Sequence, residues 1–160
     1  MNNIELIKPR AEHGMLVNQL VASCPPLDTN SVYCNLLQAD HFSETSVSAM
    51  LEGRLVGFIS GYLIPNRTNT LFVWQVAVGE EARGQGLAKK MLLALLERPI
   101  CSDVAYIETT ITKSNEASWA LFRSMAKQLG APLEDSVQYD KDSHFQGKHD
   151  TEFLVRIGPF

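Results

Sequence analysis

The fold of this chain is decided by the stretch Trp74-Gln75-Val76-Ala77-Val78-Gly79-Glu80-Glu81-Ala82-Arg83-Gly84-Gln85-Gly86-Leu87-Ala88-Lys89-Lys90. It predicts a β-strand, a tight turn and the start of an amphipathic helix. Residues 71–78 are almost wholly apolar, β-branched or aromatic, which is typical of a strand buried on both faces. In the helix that follows, apolar residues at 87, 91 and 95 form one stripe, and those at 88, 92 and 96 lie beside it.

The turn between this strand and this helix contains two glycines and an arginine. Glycine allows a sharp turn and a close approach of ligand to main chain, and a helix N-terminus presents N–H groups that suit a phosphate. The guanidinium of Arg83 adds further donors. Two phosphate motifs are excluded, because the chain has Gly86-Leu87-Ala88 where a Walker A ends in Gly-Lys-Ser/Thr, and Lys89 where a dinucleotide fold has its third glycine. The turn therefore predicts either a phosphate site or an ordinary strand-to-helix connection.

Composition indicates one domain spanning residues 1–160, since a chain of this length with 45% hydrophobic residues can bury a sizeable core. The net charge of −4 argues against a nucleic-acid partner, which would select a basic face. No apolar run approaches the ~18 residues that a membrane span requires. The polar N-terminus lacks the apolar segment of a secretory signal. We therefore expect no membrane partner.

Cysteine and histidine usage points to a cytoplasmic protein without a metal. The three cysteines are odd in number and widely spaced, which is typical of reduced thiols. The four histidines show no metal-ligand spacing. These residues are Cys24, Cys34, Cys101, His13, His41, His144 and His149.

Hydrophobic periodicity and turn residues predict the remaining elements. Strands are expected at residues 4–7, 45–51, 54–64, 71–78, 104–111 and 152–157. Helices are expected at residues 12–22, from the capping cluster 28–31 to about 41, from 87 to a break at 99, and from a cap at 114 or 115 to 130. Residues 65–69 and 133–148 are predicted to be loops. This order favours an α+β fold with a mixed sheet.

Residues 83–88, Arg-Gly-Gln-Gly-Leu-Ala, match the Arg/Gln-x-x-Gly-x-Gly/Ala pattern of the acetyl-coenzyme A-dependent N-acetyltransferases, and the chain resembles this GNAT superfamily. Further blocks are similar to one family within it, the L-2,4-diaminobutyrate acetyltransferases of ectoine biosynthesis. Those blocks are 26–33, 72–78, 108–115 and 156–159. The resemblance covers nearly the whole chain. It implies a GNAT-type fold, with helices flanking a mixed, mostly antiparallel central sheet, and it implies acetyl-coenzyme A as co-substrate and a homodimer.

The resemblance also implies which residues bind the coenzyme. The central strand would donate main-chain N–H groups to the thioester carbonyl, and the turn would hold the pyrophosphate. Asn115 would bind the pantetheine arm or a nearby water, unless it only caps a helix. Many members carry a tyrosine seven residues later that protonates the leaving thiolate, but Phe122 stands here and would only line the coenzyme tunnel. The expected coenzyme-binding residues are Val76, Ala77, Val78, Arg83, Gly84, Gln85, Gly86, Leu87, Ala88, Asn115 and Phe122.

The implied substrate carries two ammonium groups and one carboxylate, so its site needs acidic partners and polar donors. The candidate residues are Asp28, Tyr33, Trp74, Glu108, Thr109, His149 and Glu152. Plainer explanations stay open, namely an N-cap role for Asp28, core packing for Trp74 and a solvated sheet position for Glu108. His149 and Glu152 also suit an ordinary polar loop.

An amine attacks a thioester only in its neutral form, so the site must remove a proton from an alkylammonium whose pKa is about 10. We predict that Glu108 is the proton acceptor, directly or through water, with His149 as the alternative. The expected product carries the acetyl group on the side-chain (N4) amine.

Two other functions stay open. In the first, the chain acetylates another small amine, such as a polyamine or an aminoglycoside. In the second, it is a coenzyme-binding regulatory module without catalysis. Thiol release from acetyl-coenzyme A, with and without diaminobutyrate, distinguishes the three.

Overall fold

The structure, a computed structural model, describes residues 3–160. Its strands are β1 (Glu5–Ile7), β2 (Val47–Leu51), β3 (Arg54–Ile64), β4 (Arg67–Val78), β5 (Tyr106–Thr112), β6 (Leu133–Tyr139) and β7 (Glu152–Ile157). Its α-helices are α1 (Gly14–Ala22), α2 (Val32–Asp40), α3 (Leu87–Leu96) and α4 (Glu116–Leu129). None of the helices within residues 3–160 combines the length and the apolar character needed to cross a bilayer.

The chain divides into two units, and β4 contributes to both. The first unit contains the described residues up to Leu63 together with Val73–Asp103. The second contains Ile64–Phe72 and Val104–Phe160. The C-terminal half of β4 therefore belongs to the first unit and its N-terminal half to the second.

The first unit has the strand order β1-β2-β3-β4 and carries α1, α2 and α3. The β1–β2 and β2–β3 pairs are antiparallel, and the predicted hairpin at Glu52-Gly53 is present with both residues at positive φ. Apolar residues of α1 pack with residues of β3 and β4 in a buried cluster that includes Val17, Leu20, Val21, Phe58 and Ala77.

Helix α3 packs closely on β3 at Gly57. A Cβ atom at this position would lie 3.1 Å from both Leu87 Cδ2 and Met91 Cε. Leu87, Met91, Leu92 and Leu95 are buried, as the predicted stripe requires. The absence of a side chain at Gly57 therefore allows the helix that follows the glycine-rich turn to lie against the sheet.

The second unit has the strand order β4-β5-β7-β6 and carries α4. Strands β4 and β5 are parallel, with Phe72 opposite Glu108, whereas the β5–β7 and β6–β7 pairs are antiparallel. The predicted cap of α4 is Asn115, whose side chain accepts a hydrogen bond from Ser118 N at 3.3 Å. These features confirm the predicted α+β fold with a mixed, mostly antiparallel sheet.

Several local predictions are wrong, mainly where exposure hides the pattern of an element. Residues 133–148 are not all loop, because β6 occupies their first part as an edge strand whose side chains are almost all exposed. The predicted loop 65–69 ends early, since β4 begins at Arg67 after a turn at Asn66. Thr45 lies in a short 3-10 helix rather than in β2.

Three elements also depart from a simple apolar pattern, namely the central strand, α1 and α2. The central strand is not buried on both faces, because Trp74 is 40% exposed. On α1, Leu16 is exposed beside the buried Val17. On α2, Ala39 is buried but shares its side of the helix with two polar residues: Asn35 Nδ2 donates to Gln38 Oε1 at 3.0 Å, and both side chains are fully buried. Polar residues that are buried with hydrogen bonds to one another, as here and from Asn18 to Asn35, do not follow an apolar periodicity from which their burial can be predicted.

Candidate active site

The turn between β4 and α3 forms an exposed loop, here called the glycine loop (residues 79–86). It begins where Gly79 N donates to Val56 O at 2.8 Å. Arg83 turns back toward the strand, with its Nε donating to Val78 O at 3.0 Å. Gly84 and Gly86 both lie at positive φ, 76° and 70°, which side chains disfavour. The loop is thus tied to β3 at its first residue and to β4 through Arg83, and residues 83–86 are exposed to solvent.

The glycine loop leads directly into an uncapped helix N-terminus. Gly86 is the N-cap of α3 and offers no side-chain acceptor to the first-turn N–H groups. The amides of the first turn begin with those of Leu87 and Ala88, and the first turn of a helix has no intrahelical acceptor for such donors. Together with the positive end of the helix dipole they suit an anion such as a phosphate.

The coenzyme residues predicted on β4 lie next to this loop. Ala77 is buried, and Val76 and Val78 are half-buried. Val78 O accepts hydrogen bonds from Arg83 Nε and, at 3.4 Å, from Cys24 Sγ. The structure therefore brings the predicted residues 76–78 and 83–88 together as one continuous segment of the first unit. That they bind a coenzyme stays a prediction.

The other two predicted coenzyme residues lie on or beside α4 in the second unit. Asn115 Oδ1 accepts a hydrogen bond from Ser118 N and so caps this helix, as the plainer explanation of Asn115 requires. Phe122 is only 2% exposed and belongs to the core. The structure contains no hydroxyl at this position, so Phe122 cannot protonate a thiolate.

Asp28 lies before α2, and the plainer explanation that it caps this helix is wrong. The cap is Ser31, whose Oγ accepts from Cys34 N at 3.1 Å. The main-chain oxygen of Asp28 instead accepts from Gln75 Nε2 at 2.8 Å, which links the segment before α2 to β4. Tyr33, in the first turn of α2, is 69% exposed.

Trp74 does not belong to the core, and the plainer explanation of core packing is wrong for it as well. Its indole packs edge-on against the rings of Phe42 and Tyr62, with centroids 6.1 and 5.9 Å away. Phe42 and Tyr62 also contact each other at 5.9 Å. Three rings that hold each other leave the partly exposed indole in a fixed orientation.

Glu108 lies at the centre of a group of charges that we call the Glu108 cluster (Arg67, Tyr106, Glu108 and Arg156). Its side chain is only 4% exposed, so the solvated sheet position is excluded. Arg67 Nη1 and Nη2 donate to its two carboxylate oxygens at 2.8 and 3.2 Å. Arg156 Nη1 donates to the same carboxylate, and its guanidinium lies 3.8 Å from the centroid of the Tyr106 ring. Two arginines therefore share one buried carboxylate.

These contacts control the protonation of Glu108. Burial raises the pKa of its carboxyl, but the hydrogen bonds from Arg67 and Arg156 outweigh burial, and the pKa lies below the ordinary value for glutamate. The same hydrogen bonds raise the pKa of Arg67. A carboxylate with a lowered pKa that is held by two guanidiniums is a poor proton acceptor. The geometry therefore argues against our prediction that Glu108 is the base.

His149 and Glu152 lie where the chain enters β7. His149 Nδ1 is 2.7 Å from Asp150 O, and since a carbonyl oxygen only accepts, Nδ1 carries the hydrogen of this contact. Its ring also packs on Phe145, with centroids 4.6 Å apart. Glu152 is the first residue of β7 and is half-buried, whereas Thr109 is buried within β5. The contacts with Asp150 and Phe145 fix the orientation of the His149 imidazole.

The sequence analysis missed Arg67 and Arg156. Arg67 lies in a segment that the analysis assigned to a loop, and Arg156 lies 48 residues from its partner Glu108. The only available signal was an acidic residue inside a strand, because such a carboxylate needs a cationic partner when it is buried. The strand register that supplies the partner, Glu108 opposite Arg156, is not readable from either segment alone.

Comparisons with known proteins show which family the chain resembles. The family model for the acetyltransferase (GNAT) family matches residues 16–126. The L-2,4-diaminobutyric acid acetyltransferase of Methylotuvimicrobium alcaliphilum is 59% identical over 157 residues, which are 98% of this chain and 91% of the relative. That of Vibrio parahaemolyticus is 51% identical over 150 residues, which are 94% and 83% of the two chains.

A solved structure is also similar over nearly the whole chain. It is the diaminobutyrate acetyltransferase EctA from Paenibacillus lautus in complex with its substrate L-2,4-diaminobutyric acid and coenzyme A. It has a TM-score of 0.94 and 40% sequence identity, and the match covers 99% of this chain and 96% of that one. The chain therefore belongs to the GNAT family of acetyltransferases and, within it, to the family of L-2,4-diaminobutyric acid acetyltransferases.

Proposed function

We propose that this protein transfers the acetyl group of acetyl-coenzyme A to the N4 amine of L-2,4-diaminobutyrate, giving N4-acetyl-L-2,4-diaminobutyrate for ectoine biosynthesis. The observation that carries the proposal is the similarity to the Paenibacillus lautus enzyme, whose complex contains both L-2,4-diaminobutyric acid and coenzyme A. The uncapped N-terminus of α3 after the glycine loop supports it independently, because it suits the pyrophosphate of a coenzyme.

In the proposed reaction, the neutral N4 nitrogen forms a C–N bond with the acetyl carbon of the thioester, and the C–S bond breaks. The amine loses a proton to a base, and the departing thiolate takes up a proton from water or another group, since Phe122 has none to give. Main-chain N–H groups of Val76 and Val78 would hold the carbonyl oxygen as its negative charge develops. One such donor contributes about 3 kcal/mol to the barrier reduction.

We assign the proton acceptor to His149 in preference to Glu108. The imidazole of His149 is held in one orientation by the donation of its Nδ1 to Asp150 O. Glu108 is already bound to two guanidiniums, and its pKa is lowered. A base must be able to exchange its proton near neutral pH, and an imidazole suits this task better than an ion-paired carboxylate.

The remaining candidate residues would bind the substrate, with Asp28 and Glu152 at its α-amino acid end. Asp28 and Glu152 are acids suited to an ammonium group, and Asp28 does not serve as a helix cap. Tyr33 and Thr109 would donate hydrogen bonds from their hydroxyl groups. Trp74 would contact the substrate with the face or edge of its indole. We expect Asp28→Asn and Glu152→Gln to raise KM for diaminobutyrate with a smaller change in kcat. Unchanged kinetics in both variants would remove this assignment.

We further propose that residues 1–160 act as a single acetyltransferase domain in the cytoplasm and as a homodimer. The single domain is supported by the relative from Methylotuvimicrobium alcaliphilum, which matches 98% of the chain. A reducing compartment is supported by Cys24, Cys34 and Cys101, which are all free. The edge strand β6, with exposed Val137 and Tyr139, offers a surface to a second copy. Light scattering of the purified protein tests the dimer.

The proposed function is tested by following thiol release from acetyl-coenzyme A with diaminobutyrate, with putrescine or with no amine. We expect release only with diaminobutyrate, and an NMR spectrum of the product with the acetyl group on N4. Equal release with putrescine would instead indicate a general small-amine acetyltransferase. Coenzyme binding without release in any mixture would indicate a regulatory module.

A further inference from the structure

We propose that the Glu108 cluster binds the carboxylate of the amino-acid substrate, with Arg67 as its main contact and Glu108 as the residue that positions both arginines. The inference rests on the proposed function, because only an amino-acid substrate brings a carboxylate. It assigns to Glu108 a role in specificity in place of proton transfer.

The charge of the cluster is the first argument. Two guanidiniums and one carboxylate leave an excess of one positive charge. The carboxylate is buried, with its side chain 4% exposed, whereas the side chains of Arg67 and Arg156 are 49% and 32% exposed. The excess positive charge therefore lies on the solvent side of the cluster, where an anion can reach it.

The geometry of the donors is the second argument. Arg67 donates to Glu108 through Nη1 and Nη2. A guanidinium has five N–H donors in one plane, so three N–H bonds of Arg67 are not used by Glu108. Because the bidentate contact fixes that plane, and because Tyr106 supports the second guanidinium at 3.8 Å, the donors are oriented before a ligand arrives. A planar carboxylate is the ligand that such a fork matches.

The position of the cluster is the third argument. The β5–β7 register brings Glu108 and Arg156 opposite each other, and Thr112 opposite Glu152. Because side chains alternate along a strand, these four residues share one face of the sheet. That face is half-exposed apart from Glu108, whereas the opposite face carries buried residues such as Ile107 and Val155. The open face therefore carries the polar and charged side chains.

This face presents opposite charges at its two ends. Arg156 and Glu152 lie four residues apart on β7, which is about 13 Å along the strand. The long side chains of an arginine and a glutamate shorten this gap toward the length of a small diamino acid. An acidic group at one end and a cationic fork at the other match a ligand that carries both an ammonium group and a carboxylate.

The test compares diaminobutyrate with 1,3-diaminopropane, which is the same molecule without its carboxylate. The variant is Arg67→Gln, which leaves Glu108 paired with Arg156. We expect it to raise KM for diaminobutyrate about 30-fold, since a hydrogen bond to a charged group is worth about 2 kcal/mol. For 1,3-diaminopropane, kcat/KM should stay within about 2-fold of the wild-type value.

Two further variants sharpen the result. Arg67→Lys keeps the charge but loses the fork, and we expect it to recover only part of the affinity for diaminobutyrate. Arg123→Gln is the matched control, because it removes an equal charge from a guanidinium that lies over the Trp119 ring on α4, outside the cluster. It should leave both substrates unchanged.

Each remaining outcome overturns the inference in a recognisable way. If Arg67→Gln weakens both substrates equally, the cluster only holds the strands together. If the wild-type protein uses 1,3-diaminopropane as well as diaminobutyrate, the carboxylate is not recognised although acetyl transfer stands. If the wild-type protein releases thiol with neither amine, the proposed function fails and this inference fails with it.

Discussion

The glycine loop and the Glu108 cluster are built in opposite ways. The glycine loop acts through its main chain, and its residues, 79–86, follow one another in the sequence. Its chemistry comes from backbone N–H groups, two glycines at positive φ and an uncapped helix. The Glu108 cluster is made of side chains from β4, β5 and β7, and its chemistry comes from guanidinium and carboxylate groups.

This difference explains what each region can tolerate. A site made of main chain depends on backbone conformation, so the residues that matter are those that permit the conformation. A site made of side chains depends on charge balance and strand register, so removal of one charge disturbs every partner. The predictions below separate these two kinds of dependence.

The largest expected effect separates His149 from Glu108. His149→Gln should lower kcat about 100-fold or more and should remove the fall in rate on the acid side of the pH–rate profile, because the proton acceptor is lost. Glu108→Gln should keep the shape of that profile and mainly raise KM for diaminobutyrate. Steady-state kinetics at saturating acetyl-coenzyme A from pH 5 to pH 9 measure both. A flattened profile in Glu108→Gln alone would restore Glu108 as the base.

The next effect concerns the stability of the Glu108 cluster. Glu108→Gln should lower the free energy of unfolding by about 2 kcal/mol, less than for a fully buried ion pair because both arginines are partly solvated. Since the pKa of Glu108 is lowered in the folded state, its contribution is fully present above the unfolded value of about 4.3 and is lost as the pH falls through the folded value. Urea titrations at pH 7 and pH 3 measure this.

The matched control for that experiment is the exposed pair Lys8–Glu44, with both side chains 55% exposed. Glu44→Gln removes the same charge from a surface ion pair and should leave the urea midpoint at pH 7 unchanged within error. If Glu44→Gln loses as much stability as Glu108→Gln, the change in net charge, and not the Glu108 cluster, accounts for the loss.

A smaller effect is expected in the glycine loop. Gly86→Ala should lower the free energy of unfolding by about 1 kcal/mol, because alanine disfavours a φ of 70° although no atom lies within 4 Å of the added Cβ. Gly53→Ala is the matched control, since Gly53 has a φ of 79° and equally open surroundings in the β2–β3 hairpin. Both variants should lose similar stability, but only Gly86→Ala should weaken coenzyme binding in calorimetry. If the two variants bind the coenzyme with equal affinity, the glycine loop does not contribute to the coenzyme site.

The smallest effect lies outside both regions, at the buried His13. Burial, assisted by the positive charge of Arg10, lowers the pKa of this imidazole, which contacts Ser48 Oγ at 3.2 Å through Nδ1. Below the unfolded value of about 6.5, the unfolded chain binds a proton that the folded chain does not, so stability should fall as the pH falls. We expect a lower midpoint of thermal unfolding at pH 5 than at pH 6.5. His13→Asn should abolish this slope in thermal unfolding, and an unchanged slope would contradict the assignment.

The contrast between the two regions also explains what could be predicted from the sequence. The strand, turn and helix around residues 74–96 follow from local rules, because glycine, helix periodicity and apolar runs act between near neighbours. The hairpin at Glu52-Gly53 and the cap at Asn115 are local in the same sense, and both are confirmed.

The errors occur where long-range contacts decide the outcome. Strand β6 was predicted to be a loop, because an exposed edge strand needs no apolar alternation when its partner β7 supplies the hydrogen bonds. Arg67 and Arg156 were missed because only the register of three strands unites them with Glu108. Asn35 and Gln38 are buried although both are polar, because Asn35 donates to Gln38 and accepts from Asn18, which no single-residue preference predicts.

The uncapped first turn of α3 has a consequence for the lifetime of the protein in a cell. If the coenzyme pyrophosphate accepts from these N–H groups, as proposed above, the end of the helix is completed only while the coenzyme is bound, and occupancy then adds to the resistance of the chain to unfolding and proteolysis. At a free coenzyme concentration of 100 times Kd the gain is about 2.7 kcal/mol. A starved cell, with its coenzyme pool depleted, would therefore degrade this enzyme faster than a well-fed one.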